Sequence, residues 1–189
     1  MDRNIVLCGV GGQGILLAAK VIATAAEAAG LQVTTNELHG MAQRGGSVTA
    51  QIRFGREVHS PLILEGQADV IGALEAIEAI RFAHYLKKDG LAVVSTLNII
   101  PVTVSTGQAK YPENVQERLQ AVFNKLIYRD FGSQAAAMGD PRMSNTIMLG
   151  AMSNGMPEIQ EEIWREALSK CVKPAFVDAN IKAFTAGKN

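Results

Sequence analysis

Apolar residues fall into short runs that glycine and polar clusters separate. Asn4 to Val10 (NIVLCGV) is an unbroken apolar run ending in glycines, the pattern of a strand buried on both faces of a parallel sheet. Ile15 to Ala29 is rich in Ala, Leu, Ile and Val, with Lys20, Thr24 and Glu27 interspersed. That composition forms a helix, and Gly30 stands where a helix commonly ends. Leu31 to Thr35 then reads as a second strand, so the first 35 or so residues predict a strand–helix–strand unit with a right-handed crossover. Beyond a polar segment, Ser47 to Phe54 (SVTAQIRF) alternates as a half-exposed strand does.

Asp69 to Ala73 predicts another buried strand. Ala76, Ile77, Ile80 and Ala83 recur at helical spacing up to Leu86, with Gly90 beyond the end. Leu91 to Ser95, Ile100 to Val104 and Leu126 to Arg129 read as further strands. A helix opens at Pro112-Glu113 and runs towards Lys125, because proline is tolerated in a first turn and the acid suits the positive end of the dipole. Helices follow at Thr146 to Met152, Glu158 to Lys170 and Phe176 to Phe184. Strands alternating with helices predict an α/β fold: a three-layer, open, mostly parallel sheet with a Rossmann-like start and a helical C-terminal appendage. No repeat or linker interrupts residues 1–189, so one domain is expected.

Composition narrows the functional classes. Apolar residues make up 48% and charged ones 19%, enough apolar surface to offset chain entropy. Lys plus Arg balance Asp plus Glu at 18 each, which removes the basic field that nucleic-acid binding needs. Lys20 and Glu27 interrupt the most apolar early stretch, so no membrane span is expected. The start, Met1-Asp2-Arg3-Asn4, lacks a signal peptide's basic region, which argues for the cytoplasm. The two cysteines, Cys8 and Cys171, are far apart and fit neither a disulfide framework nor a metal-site spacing. An iron–sulfur cluster takes about four thiolates, more than this chain offers.

Two loops carry candidate chemistry. Gly9-Val10-Gly11-Gly12-Gln13-Gly14 follows a strand and precedes a helix, the context of a dinucleotide fingerprint. Gly9 permits a tight turn, Gly11 and Gly12 expose bare backbone, and the N–H groups at the helix start favour an anion. A simple strand-to-helix turn would use the same glycines. Glu37 lies roughly 20 residues beyond the loop, where a nicotinamide-binding protein carries its ribose-binding acid, so an NAD- or flavin-binding oxidoreductase is the alternative reading. A solvated acid at a strand end reads the same way.

The second loop, Glu37-Leu38-His39-Gly40-Met41-Ala42-Gln43-Arg44-Gly45-Gly46-Ser47, is unusually polar for a connection between apolar strands. Arg44 can grip a carboxylate or phosphate with paired hydrogen bonds, and Gly45-Gly46 can bring amides to the same ligand. His39 is the one histidine inside a candidate loop and is a substrate-contact candidate. No catalytic constellation is legible around His59 or His84. Cys8 reads as a small buried hydrophobe. Met138, Met143, Met148, Met152 and Met156 read as packing or a partner-facing surface, and Trp164 as a core or interface anchor.

GVGGQG and ELHGMAQRGGSV together make the chain resemble the gamma-type domain of the 2-oxoacid:ferredoxin oxidoreductases, within them the indolepyruvate branch. HGMAQRGG is the most specific part. Tyr111-Pro112, Asn145 to Gly150 and Asn180 to Gly187 fall in the family's order. The resemblance implies a complex that oxidatively decarboxylates an aryl 2-oxoacid to an acyl-CoA and reduces ferredoxin. It also implies a larger partner subunit that carries thiamine diphosphate and the iron–sulfur clusters. This chain would then have no activity alone. Gly9, Gly11, Gly12, Gln13, Gly14, Gln43, Arg44, Gly45 and Gly46 would contact coenzyme A or substrate. A homodimer is a further expectation, from helix faces rich in Ala and Met. The chain departs from the family pattern at Gly139-Asp140-Pro141-Arg142 and at Arg129-Asp130-Phe131.

Overall fold

The computed structural model describes residues 2–39 and 45–189. Its strands are β1 (Arg3–Val10), β2 (Gln32–His39), β3 (Ser47–Gly55), β4 (Ala68–Ala73), β5 (Leu86–Ser95) and β6 (Lys125–Arg129). They form a six-stranded sheet in the order β2-β3-β1-β4-β5-β6. The β1–β4, β4–β5 and β5–β6 pairs are parallel, whereas β3 runs antiparallel to both of its neighbours, β1 and β2. The open, mostly parallel sheet expected from the pattern is therefore present.

The strand–helix–strand unit has a feature that the local pattern does not show. β1 and β2 point the same way, but β3 lies between them and β2 becomes the edge. Composition explains the placement. β2 carries Thr34, Thr35, Asn36 and Glu37, which suit an edge, whereas β3 buries Val48, Ala50, Ile52 and Phe54 on one face and Thr49 and Gln51 on the other. The half-exposed reading of Ser47 to Phe54 is thus corrected to a strand covered on both faces. The Gln51 side chain accepts the Ile63 N–H at 2.9 Å, and Arg53 bonds Asn4 Oδ1 and the Ser60 carbonyl at 2.9 Å each. Those bonds make the burial of polar atoms tolerable.

The helices are α1 (Ile15–Ala28), α2 (Ala76–Phe82), α3 (Val102–Ser105), α4 (Val115–Val122), α5 (Phe131–Ala137), α6 (Ser144–Ser153), α7 (Glu161–Cys171) and α8 (Val177–Lys188). One face of the sheet, with Ile5, Leu7, Ile52, Val70 and Val93, packs against α1, α5, α6, α7 and α8. The other face, with Val6, Cys8, Ile71, Ala92 and Val94, packs against α2 and α4. That gives three layers. The C-terminal helices form much of one layer, and α6 is buried from Asn145 to Ser153. Trp164 is sealed against Phe184, with ring centroids 5.7 Å apart. Met143, Met148, Met152 and Met156 are core, whereas Met138 is exposed.

Three further expectations change. Ile100 to Val104 is not a strand, because the Pro101 carbonyl accepts from Val104 and Ser105 N–H at 3.0 and 3.1 Å and opens the short helix α3. Helix α2 ends at Phe82, and Leu86 and Gly90 both belong to β5, where Leu86 folds over the bare Cα of Gly90. Helix α4 starts at Val115, not at the proline, because Asn114 adopts φ 58°, which no α-helix accommodates.

Candidate functional site

Strands β1, β4, β5 and β6 all end at one edge of the sheet, and antiparallel β3 begins there. The two candidate loops meet at that edge. The Gly11 N–H donates to the Gly46 carbonyl at 2.8 Å and the Gly45 N–H to the Gly11 carbonyl at 3.4 Å, which continues the β1–β3 pairing beyond Val10 and Ser47. Gly9 lies inside β1, opposite Val48, so it makes room and does not form the turn. A Cβ there would stand 2.6 Å from Gln13 Oε1.

Gln13 is bonded within the protein at both ends of its amide. Its Oε1 accepts the Val10 N–H at 2.7 Å and its Nε2 donates to the Leu74 carbonyl at 2.9 Å, so it clamps the glycine loop to the end of β4. What faces outward is the start of α1. Gly14, with φ 83°, is its N-cap, no side chain caps it and no acid stands in its first turn. The first-turn N–H groups therefore have no partner within the helix and carry the positive end of its dipole. They border a depression of about 440 Å³ lined by Val10, Gly11, Gly12, Gly14, Ile15, Leu16 and Val48. Amides at one side and aliphatic walls at the other suit a ligand with an anionic group and an apolar body.

The other expected site residues fall in four places. Gly45 and Gly46 stand beside Gly11, as described. His39 ends β2 with its backbone paired to Val48, a wall of the depression. Gln43 and Arg44 lie outside the described residues. Glu37 is exposed on β2 and pairs with Ala50. With β3 inserted, it is two strand spacings, or about 10 Å, to the side of β1, not on the neighbouring strand that carries a ribose-binding acid. The nicotinamide or flavin reading loses its one additional sign.

Beneath the loops lie two buried carboxylates that the sequence reading passed over, Glu75 and Glu78. Glu75 caps α2, accepting the Glu78 N–H at 2.8 Å, and also takes the Ile99 N–H at 3.2 Å from the loop after β5. Burial pushes its carboxyl above the usual carboxylate range, and its backbone bonds oppose that shift. Glu78 joins the first residue of β3 to α2: its Oε2 accepts from Ser47 Oγ at 2.5 Å and its Oε1 from Arg81 Nη1 at 2.5 Å. An acid followed three residues later by Glu at a helix start was the available signal. Burial drives the Cys8 thiol well up, in keeping with a packing role. At the far side of α1, Asn145 donates to the Gly14 carbonyl at 3.2 Å. Where the chain departs from the family pattern, Asp130 caps α5 and Asp140 holds Arg142 through bonds of 2.7 to 3.1 Å.

Residues 4–189 match the family model described as pyruvate ferredoxin/flavodoxin oxidoreductase. The chain belongs to that family. Among pyruvate ferredoxin/flavodoxin oxidoreductases, the indolepyruvate oxidoreductase subunit IorB of Pyrococcus horikoshii is 42% identical over 191 residues, which cover 98% of this chain and 94% of that protein. The keto/oxoacid ferredoxin oxidoreductase gamma subunit of Geobacter sulfurreducens has the same fold, with TM-score 0.75 at 24% identity over 99% of this chain and 94% of its own. So does part of the 2-oxoglutarate:ferredoxin oxidoreductase of Magnetococcus marinus, whose structure contains 2-oxoglutarate, coenzyme A and succinyl-CoA. There the TM-score is 0.70 at 24% identity over 99% of this chain and 30% of that one. Among the described residues of this family member, no helix is long and apolar enough to cross a membrane and no group of His, Cys, Asp and Glu is placed to hold a metal.

Proposed function

We propose that residues 1–189 act as one gamma-type domain, the accessory subunit of an indolepyruvate-type 2-oxoacid:ferredoxin oxidoreductase in the cytoplasm. The supporting observation is the carboxyl-edge depression, where the capless start of α1 and the Gly45-Gly46 end of the second loop converge, in a chain similar over nearly its whole length to an indolepyruvate oxidoreductase subunit. The overall reaction consumes an aryl 2-oxoacid, coenzyme A and two oxidised ferredoxins. It yields acyl-CoA, carbon dioxide, a proton and two reduced ferredoxins. Thiamine diphosphate would supply the carbanion chemistry and iron–sulfur clusters the electron path, both held by a larger partner subunit. Two cysteines, one sealed in β1, fall short of a cluster's ligand set.

This chain's share is binding. The first-turn amides of α1 take a phosphate or carboxylate oxygen, Arg44 adds a charge-assisted pair from the second loop, and Val10, Ile15, Leu16 and Val48 exclude water from the ligand's apolar part. Co-expression with the thiamine-binding subunit, followed by indolepyruvate-dependent reduction of ferredoxin or viologen, tests this directly. Activity is expected only from the pair and only with coenzyme A. In the active pair, Arg44→Ala should raise the KM for coenzyme A or 2-oxoacid about tenfold, the loss of one charge-assisted contact. A pair that neither associates nor turns over would sink the reading.

A further inference from the structure

Among the polar side chains buried in the helical layer, Asn145, Thr146 and Asn180, 5%, 3% and 8% exposed, are linked to one another. They form one chain of hydrogen bonds. Asn180 Nδ2 donates to the Phe176 carbonyl at 2.9 Å, and Asn180 Oδ1 accepts from Thr146 Oγ1 at 2.7 Å. The Thr146 N–H donates to Asn145 Oδ1 at 2.8 Å, and Asn145 Nδ2 donates to the Gly14 carbonyl at 3.2 Å. The chain therefore runs from the start of α8 through α6 to the N-cap of α1.

Its direction is fixed by chemistry. A backbone N–H only donates, so the Asn145 atom facing Thr146 is the oxygen, and the amide nitrogen must face Gly14. The Gly14 carbonyl also accepts the Ala18 N–H at 3.1 Å, so it is held from two sides. In a trans peptide the carbonyl and the following N–H point in opposite directions. Because the Gly14 carbonyl points along α1 to Ala18, the Ile15 N–H points back past the helix start, towards the glycine loop whose Gly11, Gly12 and Gly14 line the depression. The pairing is sterically exclusive, because a Cβ on Gly14 would collide with the Asn145 amide.

We infer that Asn145 is a positioning residue for the glycine loop: it fixes the Gly14–Ile15 peptide so that the first amides of α1 face the ligand, and Thr146 and Asn180 hold Asn145 in that rotamer. The functional half of this inference rests on the reading of the depression as the ligand site. Burying three polar groups where aliphatic ones would pack as well makes sense if orientation is what they supply.

The test uses two variants of the full chain. Asn145→Asp keeps volume and the acceptor for Thr146 but places an oxygen against the Gly14 carbonyl, and Asn145→Ala removes both bonds. Amide exchange of Ala18, followed by NMR, reads whether the Gly14 carbonyl is held. In both variants it should accelerate about tenfold, the effect of one lost hydrogen bond, while Ile22 and Ala25 deeper in α1 keep their rates. In the co-expressed complex the same variants should raise the KM for coenzyme A or for the 2-oxoacid about tenfold with kcat nearly unchanged. Unchanged Ala18 exchange in both variants would overturn the inference. Faster exchange with an unaltered KM would reduce the bond to a structural one and overturn it equally. A wild-type pair without turnover would count against the accessory-subunit reading instead, and Ala18 exchange would still decide whether Asn145 holds the loop.

Discussion

At the scale of single residues, the electrostatics of the 139–142 departure are the most testable. Gly139 takes φ 100°, and Asp140 accepts from both the backbone N–H and the guanidinium of Arg142. Those bonds, the side-chain one foremost, hold the Asp140 carboxyl down at about 2. Its folded value is below its unfolded one, so its contribution is present above the ordinary value of about 3.9 and is lost as pH falls towards 2. The pair is solvated and screened, so titration reads the effect better than stability does. Carboxyl NMR should find the Asp140 midpoint near 2, and Arg142→Gln should return it towards the ordinary value. A wild-type midpoint in the usual range would contradict the pairing. Gln13 illustrates what single residues reveal in sequence: its place in GVGGQG marks it as part of a site, but its clamp partner, Leu74, lies 61 residues on. No local pattern announces such a bond, so the sequence points to Gln13 as a loop residue without showing that it ties the loop to β4.

At the scale of elements, α6 and α8 cross on two glycines. A Cβ on Gly150 would strike the Phe184 carbonyl, and one on Gly187 the Ile147 carbonyl. Backbone on both sides leaves no flexible side chain to yield, so Gly187→Ala is expected to cost at least about 2 kcal/mol, towards the upper end of overpacking effects. Urea denaturation, with an unchanged slope and a lower midpoint, would show it. Wild-type stability in that variant would mean that the helices do not approach so closely. Element types were legible where composition and punctuation agreed: α1 stops just before Gly30, which takes φ 77° in the position that its sequence predicts. They were illegible where an apolar run lacked a partner. Ile100 to Val104 has strand-like residues, but Pro101 starts a turn and Ile100 remains 63% exposed. Leu86 to Gly90 failed the opposite way, because the sheet, not the helix pattern, claims those residues.

At the scale of the whole molecule, periodicity reported three layers and a mostly parallel sheet, but not the order of strands. Insertion of β3 between β1 and β2 is a decision between distant segments, made by which strand can be buried on both faces. That insertion moves Glu37 away from the glycine loop and brings Gly45 and Gly46 to it, so the topology itself selects among the functional readings. The proposed role beside a larger subunit also has a thermodynamic signature independent of turnover. A partner that binds the native state but not the unfolded one stabilises it by mass action, by about 2.7 kcal/mol at a hundredfold excess over Kd. For a domain of this size each kcal/mol moves Tm by about 2–4 °C, so the chain should melt roughly 5–10 °C higher with excess thiamine-binding subunit than alone. Thermal profiling by mass spectrometry of this chain's own peptides separates its melting from the partner's. A shift that grows with partner concentration would support a specific complex, whereas an unmoved melting point at saturating partner would contradict the proposed pairing.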